Sequence, residues 1–284
     1  MLSGLQAVWV TGAAAQEPLR IESVAEGLYV IGGDGGNIGV RVTTDGVALV
    51  DTGLLSRLGE VEDLVASVTS QPIRYAINTH MHPDHTGGNP GLSGDVEVVA
   101  HSVTRDLMQQ NGMAGLPRTV FADARTLSLG QTEIRVLHLG GGHTAGDVVV
   151  YFPDLRVVHA GDLLHELAPF IDYEQGGSSA QWVAALDRLL ELDFDVAIAG
   201  HGAPMDRREV TAFRDQMQTV RARMGEMIRR GALRRDVGPG IVSADLSWTQ
   251  YRSSALFRSL AGLYDEILAE LVQSGFRPYP GQQR

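Results

Sequence analysis

The sequence predicts an α/β fold in which two β-sheets pack face to face and helices cover both outer surfaces. Two observations lead to this prediction: apolar runs typical of strands fall into two groups along the 284 residues, and repeats typical of helices lie between and after them. Elements in this order bury their apolar faces in a layered arrangement. No long linker or change in composition divides the chain, so we expect a single domain over residues 16–284 with helices at its C-terminal end.

The first group of strands is predicted to form an antiparallel meander. Its runs are Leu28–Ile31, Ile38–Thr43 and Val47–Val50. The pair Asp45-Gly46 between the last two runs is a strong hairpin signal. Apolar residues then recur at helical spacing from Leu55 to Val68, and the apolar run Ile73–Ile77 follows. This passage indicates a β-helix-β unit and therefore a change from a meander to a layered α/β plan.

The second group of strands is also interrupted by helices. Its runs are Val96–Ala100, Ile134–Leu139, Val148–Phe152, Val157–Ala160 and Val196–Ala199. Ser178 and Gln181 form a candidate capping box for one helix. Asp206 and Glu209 form a second one for a long amphipathic helix. A last helix is predicted over Leu256–Leu271, where apolar residues again recur at helical spacing.

Residues 1–15 have two interpretations. They are mostly apolar and end in Ala13-Ala14-Ala15, which fits the small-residue rule for signal-peptide cleavage before Gln16. No basic residue precedes Arg20, so the positively charged start of a signal peptide is missing. The segment is either a signal-peptide remnant of a periplasmic or exported protein, or a disordered tail of a cytoplasmic one.

Charge and composition narrow the partners that we expect. The net charge of −11 at pH 7 opposes binding to a polyanion, so we expect no nucleic-acid partner. No run of about 18 apolar residues is present, so we expect a soluble protein without a membrane partner. The chain has no cysteine, which leaves histidine and carboxylate as the strong ligands for a metal such as zinc. We expect a small-molecule substrate, with a homo-oligomer as an open alternative.

Most of the chemical information lies in the segment 78–89, directly after the run Ile73–Ile77. His80, His82, Asp84 and His85 fall within six residues of this segment. In an extended turn His80 and His82 point the same way because side chains alternate, and the other two residues lie beyond Pro83, which bends the chain. Packing these polar groups together without a ligand would be costly. The segment therefore predicts a metal site with two ligands facing each of two ions.

Further candidate ligands follow three of the predicted strands. In each case an apolar run is succeeded by a glycine-flanked residue: His143 in Gly142-His143, Asp162 in Gly161-Asp162 and His201 in Gly200-His201. Glycine beside each residue permits tight turns and close approach of the backbone. Sites in α/β sheets collect outside the strand ends, so these loops are predicted to converge on the histidine-rich segment.

The HxHxDH pattern, followed in order by His, Asp and His, resembles the metallo-β-lactamase superfamily, and the resemblance extends from about Leu19 to at least Pro204. It implies an αββα four-layer sandwich of two mixed β-sheets covered by helices. It also implies two zinc ions per chain, the first held by three histidines and the second by two histidines and an aspartate, with one aspartate bridging both. The first set is His80, His82 and His143, the second is Asp84, His85 and His201, and the bridging residue is Asp162.

Asp51, in the sequence Asp51-Thr52-Gly53, is similar to the strand-end aspartate of that superfamily. The resemblance implies that Asp51 supports the metal loop from outside the ligand set. A plain turn aspartate that caps a helix is the alternative.

The resemblance implies a hydrolase in which a hydroxide between the two metals attacks a carbonyl ester, thioester, lactone or amide-type bond. Asp84 would orient the hydroxide and carry its proton, which makes it the candidate catalytic residue. Iron or manganese could replace zinc. Asp162 stands where the true lactamases generally have cysteine or serine, so the site is more similar to glyoxalase II and general exported hydrolases. Enzymes with β-lactamase activity and mononuclear iron persulfide dioxygenases are the alternatives.

Four histidines lie outside this ligand set. His101, His138 and His159 fall within or at the ends of predicted strands, so structural roles are expected for them. His165 follows Asp162 by three residues, in a segment that should border the pocket. His165, Phe170 and Tyr173 are therefore candidates for contact with substrate, and a gate of apolar residues is the alternative.

Overall fold

The computed structural model describes residues 18–282, except residues 34, 167–168, 239–240, 242–245 and 247–254. Two mixed β-sheets pack face to face, and helices cover their outer surfaces. The predicted α/β sandwich is therefore confirmed. The proposed signal segment, residues 1–15, lies outside the described residues. No helix in the described part of the chain is both long enough and apolar enough to cross a bilayer.

The first sheet has seven strands that follow one another in chain order. They are β1 (Arg20–Ala25), β2 (Leu28–Gly32), β3 (Ile38–Thr43), β4 (Gly46–Val50), β5 (Ile73–Ile77), β6 (Glu97–His101) and β7 (Thr119–Phe121). Strands β1 to β4 pair antiparallel, as the predicted meander requires, and β4 to β7 pair parallel. The parallel half brings the carboxyl ends of β4 and β5 to the same edge of the sheet.

The second sheet has six strands, in the order β13-β12-β11-β10-β9-β8. They are β8 (Ala124–Leu129), β9 (Thr132–Leu137), β10 (Val149–Phe152), β11 (Val157–His159), β12 (Val196–Ile198) and β13 (Met205–Asp206). Only β11 and β12 pair parallel. Their carboxyl ends therefore lie side by side, and each is followed by a predicted metal ligand.

The helices described are α1 (Leu58–Val68), α2 (Pro83–Thr86), α3 (Ser102–Gln110), α4 (Ser179–Glu191), α5 (Arg207–Arg229) and α6 (Ala255–Gln273). Val61 and Val65 of α1 join the apolar cluster on the outer face of the first sheet. Helices α4, α5 and α6 contribute most of a larger cluster on the second sheet. A third cluster fills the space between the sheets and includes Val50, Ile77 and Val150.

The predicted ends of two helices are confirmed by their capping contacts. Asp206 accepts hydrogen bonds from the backbone N–H groups of Arg208 and Glu209, and the Glu209 carboxylate accepts from the Asp206 N–H, which completes the capping box of α5. At the start of α4 Ser178 Oγ accepts from the Gln181 N–H, which is one of the two bonds of the predicted capping box; the return bond from the Gln181 side chain is absent from the described contacts. These contacts satisfy N–H groups that have no partner within the helix.

Candidate metal centre

The loop after β5 presents its polar side chains in two directions. His80 and His82 lie in non-helical backbone, and Pro83 then begins the one-turn helix α2, which carries Asp84 and His85. His80 and His85 are completely buried or nearly so. The bend at Pro83 separates the first two ligands from the last two, as the sequence predicts.

A first group of donor atoms forms around His82. The Nδ1 atom of His82 lies 3.2 Å from Nε2 of His80 and 2.8 Å from Nε2 of His143. Oδ2 of Asp162 lies 3.4 Å from Nε2 of His143 and 3.9 Å from Nε2 of His80. One ligand atom from each of these four residues lies within 4.8 Å of the others.

A second group forms on the other side of Asp162. Nε2 of His201 lies 3.2 Å from Oδ2 of Asp84 and 3.4 Å from Nε2 of His85. Oδ1 of Asp162, the oxygen that does not face the first group, lies 3.1 Å from Nε2 of His85 and 3.6 Å from Nε2 of His201. The two oxygens of Asp162 therefore face two different clusters of donors.

Hydrogen-bond partners outside the cluster determine which ring nitrogen of three histidines faces the donor groups. Nδ1 of His143 lies 2.6 Å from the carbonyl oxygen of Phe170, and Nδ1 of His85 lies 2.8 Å from Oδ2 of Asp51. Nε2 of His82 lies 2.9 Å from Oδ2 of Asp172. Carbonyl and carboxylate oxygens only accept, so each outward nitrogen carries a hydrogen. The inward nitrogen is then the one that offers a lone pair to a metal.

Asp51 supports both groups at once. The Thr79 hydroxyl donates to Oδ2 of Asp51 over 2.7 Å, so its oxygen accepts from Nδ1 of His80, 3.1 Å away. The Thr79 N–H donates to Oδ1 of Asp51 over 2.7 Å. Asp51 therefore orients His80 through Thr79 and His85 directly. It is fully buried and has a positive φ of 67°, a conformation that few residues other than glycine adopt.

The donor set fits a pair of zinc ions. Zinc prefers histidine nitrogen and carboxylate oxygen at about 2.0–2.2 Å in a tetrahedron, which places neighbouring ligand atoms about 3.3–3.6 Å apart. The donor separations in the two groups, from 2.8 to 3.9 Å, bracket that value. Oδ1 of Asp162 is buried and accepts no hydrogen bond from any residue that the structure describes. A bound cation would satisfy this oxygen.

Two of the cluster glycines are needed for close packing. A Cβ atom on Gly200 would lie 2.0 Å from Oδ1 of Asp162, and a Cβ atom on Gly36 would lie 2.4 Å from the ring of His85. Any side chain at either position would collide with a donor residue. The glycine beside His201 therefore has the role that the sequence predicts, close approach of the backbone.

Burial lowers the pKa of two histidines of the cluster, whereas nearby carboxylates raise the pKa of two others. Burial lowers the pKa of His143 to about 3 and lowers the pKa of His80 well below its ordinary value, with help from neighbouring histidines. Burial also opposes charge on His201, but the carboxylates of Asp162 and Asp84 beside its ring raise its pKa to about 9. In the same way Asp162 and Asp51 overcome burial and raise the pKa of His85 above its ordinary value.

Metal binding should release protons from the cluster at neutral pH. The raised pKa values of His85 and His201 keep both rings protonated at pH 7 in the metal-free protein, and each must lose a proton to become a ligand. We expect release of about two protons per chain at pH 7, measured by titration calorimetry in buffers of different ionisation enthalpy. Independence of the measured enthalpy from the buffer would contradict this prediction.

The raised pKa of His201 also affects the stability of the metal-free protein. A pKa raised in the folded state stabilises the fold at a pH below the unfolded value, and the stabilisation is lost as the pH rises through the folded value. The free energy of unfolding of the metal-free protein, measured by urea denaturation, should therefore fall as the pH rises from 6.5 to about 9, the ordinary and folded pKa values of His201. A constant or rising free energy of unfolding over this range would contradict the prediction.

The three candidate substrate contacts lie in different surroundings. Nε2 of His165 is buried 3.2 Å from Oδ2 of Asp162, and its ring stacks on His201 with centroids 5.2 Å apart. The ring of Phe170 stacks on His82 at a centroid distance of 6.3 Å. The Tyr173 hydroxyl instead donates to Glu266 on α6, so its polar atom is directed away from the cluster.

The remaining histidines lie outside the two donor groups. His101 and His138 stack with ring centroids 4.1 Å apart, and both bond to backbone carbonyl groups. His159 is fully buried, and burial lowers its pKa to about 4. These packed positions are in keeping with the structural roles expected from the sequence.

Residues that the sequence did not single out also orient the ligands. Thr79 links His80 to Asp51, and Asp172 accepts from His82. The Asn37 amide donates to the carbonyl groups of Ala199 (2.9 Å) and Gly202 (2.8 Å), on either side of His201. The role of Thr79 could have been predicted, because Thr79 directly precedes the histidine motif in the sequence. Asp172 has no local signal because its partner is 90 residues away in the chain.

Residues 31–201, which include every predicted metal ligand, match the sequence model of the metallo-beta-lactamase superfamily. The chain belongs to this superfamily. Among solved structures, a metallo-beta-lactamase from Pontibacter korlensis is similar to it with a TM-score of 0.64 at 25% identity, over 70% of this chain and 99% of that one. Membership of the metallo-beta-lactamase superfamily, predicted from the motif, is confirmed.

The names of two curated relatives describe different activities. The alpha subunit of 2,4-dinitroanisole O-demethylase from a Nocardioides species is 29% identical over 146 residues, which is 50% of this chain and 44% of that subunit. Hydroxyacylglutathione hydrolase from Brucella anthropi is 27% identical over 195 residues, which is 67% of this chain and 72% of that enzyme. The chain thus spans less than half of the demethylase subunit.

Proposed function

We propose that this protein is a hydrolase that binds two zinc ions and cleaves an ester, thioester, lactone or amide-type bond in a small molecule. The observation that carries the proposal is the position of Asp162, whose two oxygens face two separate sets of nitrogen and carboxylate donors. A metal-dependent hydrolase of this kind is also consistent with the superfamily match.

The proposed ligand sets follow the two donor groups. His80, His82 and His143 would hold one ion, and Asp84, His85 and His201 would hold the other, with Asp162 between them. When bound, two such ions supply a water of lowered pKa and polarise the oxygen of the bond to be cleaved. A mononuclear iron dioxygenase would need only one of these groups, so the second group favours the hydrolase.

Asp84 is the proposed catalytic carboxylate. Its side chain is 33% exposed, whereas that of Asp162 is 6% exposed, so Asp84 is the acidic ligand that solvent and substrate can reach. Burial opposes its ionisation, but the hydrogen bond from His201 lowers the pKa of Asp84 to about 2. The carboxylate is therefore ionised at neutral pH and accepts a proton from the attacking water.

A panel of substrates tests the proposed function. Purified protein loaded with zinc is assayed against thioesters, esters, lactones and β-lactams, with Asp84→Asn as the comparison. We expect hydrolysis of at least one class and a loss of about 10²- to 10⁴-fold in Asp84→Asn, the usual contribution of a general base. Hydroxyacylglutathione is a thioester, so the relative named hydroxyacylglutathione hydrolase makes a thioester the first substrate to test. The similarity to a solved metallo-beta-lactamase is the reason for including β-lactams.

Two outcomes would overturn this assignment. Asp84→Asn that is as active as the wild type would remove the proposed role of Asp84. One iron per chain together with oxygen uptake would favour the persulfide dioxygenase alternative over the two-zinc hydrolase.

His165 and Phe170 are proposed as the residues that contact substrate. The Nε2 atom of His165 is buried beside Asp162 and has no hydrogen-bond partner among the residues described. A substrate group bound over the cluster would supply that partner. Phe170 covers His82 and would exclude water from that side. Tyr173 is not included because its hydroxyl is bound by Glu266.

His165→Ala should impair turnover without removing metal. Loss of one hydrogen bond to substrate in a buried site costs about 1–3 kcal/mol, so we expect kcat/KM to fall about 10- to 100-fold with two metals still bound per chain. His138→Ala, at a histidine outside the cluster, should change neither quantity. An unchanged kcat/KM in His165→Ala would refute the proposed contact.

A further inference from the structure

Residues 171–178 connect the metal centre to α6, which lies beyond the residues matched by the superfamily model. Near the start of this loop the backbone N–H of Asp172 donates to the carbonyl oxygen of His143 over 2.9 Å, and at its end the N–H of Ser178 donates to the carbonyl oxygen of Gly142. Asp172 Oδ2 accepts from His82 over 2.9 Å. The loop therefore contacts the backbone or side chain of two proposed ligands.

The same loop is held from the other side by α6. The N–H of Ile171 donates to Oγ of Ser259 over 2.8 Å, and the Tyr173 hydroxyl donates to Oε2 of Glu266 over 2.7 Å. The ring of Tyr173 lies so close to Gly262 that a Cβ atom there would be 2.2 Å from the ring. Asp172 thus lies between two residues whose positions are fixed by one helix.

Glu266 is the centre of these contacts. Besides Tyr173, its carboxylate accepts from Oγ of Ser178 over 2.6 Å and from the N–H groups of Ser179 and Ala180 over 3.1 and 3.3 Å. These donors are the N-cap and first turn of α4, where a carboxylate is favoured by the helix dipole. One carboxylate thus joins α6, the start of α4 and the loop that carries Asp172.

We propose that Glu266 is a positioning residue for the metal centre: through Tyr173 it fixes Asp172, and Asp172 fixes the ring of His82. The inference rests on the proposed function only in taking His82 as a metal ligand. A glutamine at this position keeps the volume of the side chain but has a single accepting oxygen. It cannot satisfy the five donors around the carboxylate, which include the Ser179 hydroxyl, so the Tyr173 contact or the α4 contact is weakened.

The experiment compares Glu266→Gln with Glu270→Gln. Glu270 lies one turn further along α6 and accepts from Arg221, but it makes no contact with the loop in the described structure. Each variant is titrated with Co²⁺, its absorption spectrum is recorded, and its affinity is measured by competition with a chromophoric chelator. Residues that orient metal ligands typically contribute 10- to 100-fold in affinity, so we expect about 3- to 10-fold for Glu266→Gln, which acts on such a residue, Asp172, only through Tyr173. We expect an altered cobalt spectrum in Glu266→Gln and wild-type values in Glu270→Gln.

Tyr173→Phe removes only the hydroxyl that donates to Glu266. This second variant tests the same proposal if Glu266→Gln folds poorly. It should weaken cobalt binding in the same direction, and the double variant should be no weaker than Glu266→Gln alone, because both changes break one chain of contacts. Thermal denaturation of the metal-free variants measures any purely structural effect.

The outcomes distinguish a failure of the positioning role of Glu266 from a failure of the proposed function. If Glu266→Gln and Tyr173→Phe bind cobalt with wild-type affinity and spectrum, whatever their melting temperatures, the positioning role is refuted and the proposed function stands. If the wild type itself binds no cobalt at this cluster, both the proposed function and this inference are refuted.

Discussion

Asp162→Asn should reduce kcat/KM by on the order of 10³-fold or more and lower the metal content from two ions per chain to one at most. Metal ions contribute several kcal/mol to catalysis of this kind, and each 1.4 kcal/mol is a factor of ten in rate. Asparagine keeps the shape of the side chain, but its amide nitrogen cannot replace the second oxygen. One of the two donor groups that Asp162 faces therefore loses a ligand and the shared negative charge.

Metal analysis and steady-state kinetics on the best substrate measure this effect. Asp187→Asn is a matched control, because Asp187 is half exposed and pairs with Arg214 at the surface. The control should behave as the wild type. Asp162→Asn that retains two metals and full activity would show that the two oxygens of Asp162 do not serve two ions.

Asp51→Asn should weaken the binding of both metals, although Asp51 is not a ligand. Its carboxylate accepts from Thr79 and His85 and so orients one histidine in each donor group. Loss of such a partner typically costs 10- to 100-fold in metal affinity. Asparagine tolerates a positive φ almost as well as aspartate, so the backbone conformation at this position should survive and the effect reports the carboxylate alone.

Chelator competition measures the two metal affinities of Asp51→Asn, and denaturant unfolding measures its stability without metal. We expect a loss of about 1–3 kcal/mol in the free energy of unfolding, because the amide leaves a buried donor unsatisfied. A variant in which only one metal affinity falls would mean that the carboxylate supports a single site.

The residues of the candidate metal centre could be identified from the sequence because most of them lie close together in the chain. His80, His82, Asp84 and His85 occupy one loop, and the strands β11 and β12, which precede Asp162 and His201, are largely buried and read as unbroken apolar runs. The strands β3 and β5 have the same bounds in the prediction and in the structure.

Elements with a weak apolar pattern escaped the prediction. Strand β1, at the edge of its sheet, has no fully buried residue, and β8 buries only Leu127 and Leu129 of its six residues. Helix α3 buries only Thr104 and Met108. Each has too little apolar periodicity to stand out without its tertiary neighbours.

Contacts between distant segments were also beyond a reading of the sequence. Tyr173 follows Asp162, the proposed bridging residue, closely enough to suggest a substrate contact, but its ring is accommodated by Gly262, and its hydroxyl is bound by Glu266, on a helix some 90 residues further along the chain. Asp172 acquires its role from the same packing. Such partners become visible only once the fold brings them together.

Anomalous diffraction at the zinc absorption edge, from crystals grown with zinc, tests the proposed dinuclear site most directly. We expect two peaks about 3.5–4 Å apart, the usual spacing of paired catalytic metals, one on each side of Asp162. The first should lie among His80, His82 and His143, and the second among Asp84, His85 and His201. A single peak, or peaks remote from Asp162, would contradict the two-zinc assignment.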